Sequence, residues 1–145
     1  MLSLSRCRLV AILFLFVVDP SYGQQPHSAC HNMLYDDHNQ VDYTVRVNSV
    51  AGVAKDTQGS EVRGACAGIF TENDKTLMVA QETNVDGHFE IDGLPNGRYR
   101  LVVSANPLCA ANAVIILKNK ARRGKKLIAV MKPRGIDDCS SIQLR

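Results

Sequence analysis

No segment of this 145-residue chain repeats apolar residues at helical spacing over three turns, which speaks against a helical bundle. Past residue 18, no run is long and apolar enough to cross a bilayer, so no transmembrane segment is expected. Internal repeats and low-complexity tracts are absent. No Ser-His-Asp or Cys-His pairing stands out that would mark a nucleophilic site. Acid is missing from one long region. Residues 93–136 contain ten Lys/Arg and no Asp or Glu, net +10, whereas residues 24–92 contain four Lys/Arg against eleven Asp/Glu, net −7.

The first residues have the layout of an export signal. Arg6 and Arg8 precede the apolar run from Leu9 to Val18. Asp19-Pro20 breaks that run, and Ser21 and Gly23 stand at the −3 and −1 positions before Gln24. This predicts a signal peptide over residues 1–23 and a secreted, periplasmic or extracellular protein. Ten apolar residues are too few for a membrane anchor. Cys7 would be removed with the peptide and has no small-residue lipobox before it. The remaining 122 residues suit one domain with a real core. Their four cysteines, Cys30, Cys66, Cys109 and Cys139, suggest two disulfides in an oxidising compartment, with three possible pairings.

Short stretches of alternating character dominate the rest. Val41 to Val47 alternates with period two and is β-branched, a candidate edge strand. Val50 to Lys55 is a second strand. In Gly64 to Phe70, residues Ala65, Ala67 and Ile69 share a face taken as inward, so Cys66 points outward or toward a covering segment. Leu77 to Thr83 leads to Asp86-Gly87, a tight-turn dipeptide. Beyond it Phe89 and Ile91 alternate with His88 and Glu90. Leu94-Pro95-Asn96-Gly97 turns the chain again, and Tyr99, Leu101 and Val103 alternate with Arg98 and Arg100. Asn106-Pro107 is a break. Further strands are expected at residues 112–117 and 126–132, and Ile136 to Arg145 reads as a tail. Short strands about ten residues apart, separated by turn signals, describe an all-β sandwich.

Residues 50–133 resemble the carboxypeptidase regulatory-like domain of the transthyretin-like superfamily. The matching pieces are Gly52-Val53-Ala54-Lys55-Asp56 with Gly59, Val62-Arg63-Gly64-Ala65, Asp86-Gly87-His88-Phe89, and Leu94-Pro95-Asn96-Gly97-Arg98-Tyr99-Arg100-Leu101. The resemblance implies a seven-stranded Greek-key β-sandwich of transthyretin-like type, with disulfide-tied N- and C-terminal extensions. The chain then divides into the signal peptide 1–23, an N-terminal arm 24–48 with one possible edge strand, the sandwich 49–133 and a tail 134–145. It also implies that the strand at Ala65 to Phe70 runs antiparallel to that at Arg98 to Ser104. That favours Cys66–Cys109, leaving Cys30–Cys139 to join the extensions.

Enzymes of related fold leave no matching motif. The His-x-x-Glu zinc motif of metallocarboxypeptidases is absent. Hydroxyisourate hydrolases end in Tyr-Arg-Gly-Ser, whereas this chain ends Ile142-Gln143-Leu144-Arg145. The Tyr/His iron motifs of intradiol dioxygenases are missing, and the strand at residues 126–132 has no Asn for an adhesin-type isopeptide. On this ground the expectation is a protein that is not an enzyme and has no cofactor.

What remains is charge. Lys118, Lys120, Arg122, Arg123, Lys125 and Lys126 form the densest basic run, in the loop between the last two core strands; Arg98 and Arg100 join them as candidate ligand contacts. Such a loop can hold a polyanion: an acidic glycan, an anionic cell surface or an acidic protein. The plainer reading is a solvated loop. Nucleic acid is not expected, because the chain reads as exported and no interleaved aromatics offer base stacking. The alternative is a small hydrolase or metal-binding protein using His27, Cys30, His31, Asp36, Asp37 and His38 of the arm, a donor set zinc or copper accepts. Oxidation of Cys30 would remove its thiolate, so no metal is expected.

Overall fold

Period-two alternation is realised as nine strands: β1 (Thr44–Val47), β2 (Val50–Asp56), β3 (Cys66–Thr71), β4 (Leu77–Glu82), β5 (His88–Ile91), β6 (Gly97–Ser104), β7 (Ala111–Leu117), β8 (Leu127–Met131) and β9 (Ser140–Leu144). They come from a computed structural model that describes residues 30, 34, 43–73, 76–118, 126–134 and 140–145. A five-stranded sheet has the order β1-β7-β6-β3-β4, and a four-stranded sheet the order β5-β2-β8-β9. Both are mixed: β1 runs parallel to β7 and β2 parallel to β8, while the other pairs are antiparallel. Seven of the strands, β2 to β8, lie within residues 49–133.

The core lies between the sheets and uses alternate residues of nearly every strand. Val45 and Val47, Ala67 and Ile69, Phe89 and Ile91, Tyr99, Leu101 and Val103, and Ala113, Ile115 and Leu117 all point into it. Leu127, Ala129 and Met131 complete it from β8, with Ile142 from β9. The inward faces of β3, β5 and β6 are those the alternation indicates. The strands around the Asp86-Gly87 turn, however, do not pair with each other. β4 belongs to one sheet and β5 to the other, so the turn is a crossing between layers. Gly87 takes a φ of 70° there and donates to Asn84 O (3.0 Å), while Asn84 Oδ1 accepts from the N–H groups of Asp86 and His88. Gly52 serves a different need. A Cβ on it would lie 2.5 Å from Leu127 O and 2.7 Å from the Phe89 ring, so only glycine lets β5 and β8 close on β2.

Two sequence expectations are corrected. Residues of the C-terminal tail form β9, which pairs antiparallel with β8 and buries Ile142. Their apolar content is too low to announce a strand; the open edge of β8 supplies the partner. The disulfide pairing also differs. Cys30 is bonded to Cys66, not Cys66 to Cys109 or Cys30 to Cys139. β3 and β6 are antiparallel as expected, with Cys66 opposite Ser104. The chain beyond Ser104 then leaves the sheet through the cis Asn106–Pro107 peptide. Cys109 N–H donates to Lys132 O (2.7 Å) and Leu108 bridges Pro133, so Cys109 ends at the far end of β8. Cys66 meanwhile points out of the sandwich, on the opposite side from Ala67. Cys109 is disulfide-bonded too, to a residue outside those described.

Candidate functional site

The outer face of the five-stranded sheet is assembled from the residues that alternate with the core set: Thr44 and Arg46 on β1, Asn112, Val114 and Ile116 on β7, Arg98, Arg100, Val102 and Ser104 on β6, and Cys66, Gly68 and Phe70 on β3. Register divides it into a covered and an open half.

The covered half is a second, smaller core: Cys30, Leu34, Cys66, Val102 and Ala110, with Phe70, Leu77 and Ala80 against it. Leu34 N–H donates to Cys30 O (3.0 Å), and the disulfide holds Cys30 against β3. Gly68 makes room for Leu34, since a Cβ there would sit 2.6 Å from Leu34 Cδ1. A register shift between Ile69 and Phe70 places Leu77 opposite Phe70 on this outer side and leaves Met78 exposed. Arg100, opposite Phe70 on one side and Val114 on the other, is 9% exposed, and burial lowers its guanidinium pKa from the ordinary arginine value.

The open half lies at the start of β6 and the end of β7. Ile116 is opposite Arg98 on one side and Arg46 on the other. Both arginines are exposed, and so is Lys118, the first residue past the end of β7. Lys118 N–H donates to Val47 O (3.0 Å), which keeps the end of β7 against β1. Arg98 Nε is 2.5 Å from Glu72 Oε1, an ion pair in which both side chains stay partly in solvent.

Of the cations the sequence singles out, Arg98 and Lys118 therefore lie on one exposed face. Lys126 is exposed at the start of β8, where its carbonyl accepts from Arg145 N–H (3.1 Å). Arg100 is on the same outward side as Arg98 but covered. Lys120, Arg122, Arg123 and Lys125 lie outside the described residues. Arg46 is the member that sequence reasoning missed. Alternation with Val45 and Val47 marks it as outward, but only the parallel pairing of β1 with β7 brings it beside Ile116.

A metal centre in the arm loses its sulfur ligand. Cys30, Cys66 and Glu82 place two sulfurs and a carboxylate oxygen within 4.8 Å of one another, yet both sulfurs are spent in the disulfide and a metal needs thiolate. His27, His31, Asp36, Asp37 and His38 lie outside the described residues. No described helix is long and apolar enough to cross a membrane.

No family model and no curated protein sequence matches this chain, so the resemblance to the carboxypeptidase regulatory-like domain gains no support from that side. Among solved structures the fold is similar to that of Klebsiella pneumoniae 5-hydroxyisourate hydrolase, at 16% identity and a TM-score of 0.48, over 68% of this chain and 93% of that one. That protein is an enzyme. The expectation that this chain is not an enzyme is corrected on a narrower ground: a missing motif does not make a sandwich inert, because fold and activity are decided separately.

Proposed function

We propose that this is an exported β-sandwich module that binds an anionic ligand through the face carrying Arg98 and Lys118 and the adjoining basic loop up to Lys126. The observation behind this reading is a stretch of sequence with charge of one sign whose described ends are exposed. Residues 93–136 contain no acid, and the described ends of the loop, Lys118 and Lys126, are both open to solvent. A cationic surface of this kind raises the local concentration of anions and speeds their capture, an effect that salt screens over about 10 Å at 0.1 M. An acidic glycan, an anionic cell surface or an acidic protein would each be drawn to it. The finer placement of the chain beside the carboxypeptidase regulatory-like domain belongs to the same proposal and rests on the sequence pieces alone.

Retention of the secreted protein on an immobilised sulfated polysaccharide tests the reading. Binding is expected to weaken steadily with added salt, and the double substitution Lys118→Gln, Lys126→Gln to weaken it roughly fivefold or more, as loss of charge-assisted contacts does. Retention indifferent to salt and to both lysines would sink the proposal.

A further inference from the structure

We infer that the ligand of this face is a linear acidic polysaccharide laid across β6, β7 and β1, with Arg46 and Arg98 as its flanking contacts and Glu72 as a built-in competitor for Arg98. The inference deepens the anion-binding reading and rests on it.

Geometry argues for an extended ligand. A compact anion is held where several donors converge on one point, as at a helix N-terminus or a backbone nest. Here the donors stand on separate strands. Arg46 and Arg98 stand on the two strands flanking β7, about 10 Å apart at ordinary strand spacing. Lys118 extends the set just past the end of β7. Between the arginines the face is closed by half-buried Ile116. A polymer with recurring carboxylates or sulfates can engage all three cations along such a strip, which gives it more contacts than a single phosphate. A membrane surface is the weaker fit, because interfacial binding adds apolar insertion to charge. Val85, the most exposed large apolar side chain among the described residues at 74%, lies in the turn after β4. That turn follows Glu82, which is opposite Cys66, at the other end of the sheet from Arg98.

Glu72 gives the strip an internal gate. Its carboxylate already occupies Arg98, so an incoming anionic group must take its place. Exposed ion pairs are weak, so the displacement is easy and removing Glu72 should help.

The test uses the secreted protein, immobilised heparin as the probe, and free inorganic phosphate and phosphatidylserine–phosphatidylcholine vesicles as separate arms. Arg46→Gln is expected to weaken heparin binding roughly fivefold or more, and Glu72→Gln to tighten it by up to about fivefold. Lys55→Gln, on the other sheet, should leave it unchanged. Thermal melts of each variant check that the fold is intact. Wild-type binding by both Arg46→Gln and Glu72→Gln, with loss only on substitution of Lys118 and Lys126, overturns this inference and leaves the broader proposal standing. Capture by vesicles or phosphate without heparin binding also overturns it. Failure to bind any of the three probes removes both.

Discussion

Gly52 and Gly68 both sit inside strands, yet substitution should affect them differently. An alanine methyl at Gly52 meets the backbone oxygen of Leu127 at 2.5 Å, and backbone cannot step aside. At Gly68 it meets the end of the Leu34 side chain, which can rotate. Chemical denaturation should therefore show Gly52→Ala losing about 1–3 kcal/mol, the range for overpacking, and Gly68→Ala distinctly less. Equal losses would mean that the close approach of β8 to β2 is not what requires Gly52. Glu61 provides a pH-dependent contribution on the surface. Backbone hydrogen bonding, then Lys55, hold its carboxyl below the ordinary glutamate value. A depressed folded-state pKa means stability that is present above the unfolded value and lost as pH falls through the folded one. Glu61→Gln should consequently lower stability slightly in the neutral region, converge on wild type in acid, and so flatten the acid side of the stability–pH curve. An unchanged acid limb in a urea titration across pH would contradict this.

At the scale of elements, the most informative contact is between Cys30 with Leu34 and the outer side of β3. The disulfide closes a sequence separation of 36, and in the chain-entropy model a loop of that size contributes about 3–4 kcal/mol, often less in practice. Its sulfurs are fully buried with Leu34 over Gly68. The double substitution Cys30→Ala, Cys66→Ala should lower unfolding free energy by about 2–4 kcal/mol. Should denaturation show no loss, the covered half of the outer face would have to be held by other contacts. The ladder at the β3 entrance is secured separately: Thr83 Oγ1 accepts from Ala65 N–H (2.9 Å) and donates to Val62 O (2.8 Å). β9 is the complementary case, an element formed because β8 offers an open edge and the core has room for Ile142.

For the whole molecule, the sign of charge follows position along the chain, and folding does not mix it evenly. Arg98 keeps a carboxylate neighbour in Glu72, Arg100 is withdrawn under the outer face, and Arg46 arrives from the acidic half of the sequence. The proposed binding face is therefore not the basic run alone. Its salt dependence and its response to Arg46→Gln are properties of the assembled sheet, and the heparin measurements above address that level.

Residues alone determine much of this protein, wherever the physics is local. Period-two alternation sets which sides of β3, β5 and β6 face inward, because adjacent side chains on a pleated strand must point oppositely. Asp86-Gly87 marks a turn because glycine reaches positive φ without strain. The class, all-β in two layers, follows from many such short segments. Tertiary structure decides everything that depends on which strand lies beside which: the pairing of Cys30 with Cys66, the conversion of residues 140–144 into a strand, the burial of Arg100 and the juxtaposition of Arg46 with Arg98 across Ile116. The reason is that strand neighbours come from distant parts of the chain. Alternation tells a side chain which way to point, and only the closed sheet settles what it will meet there.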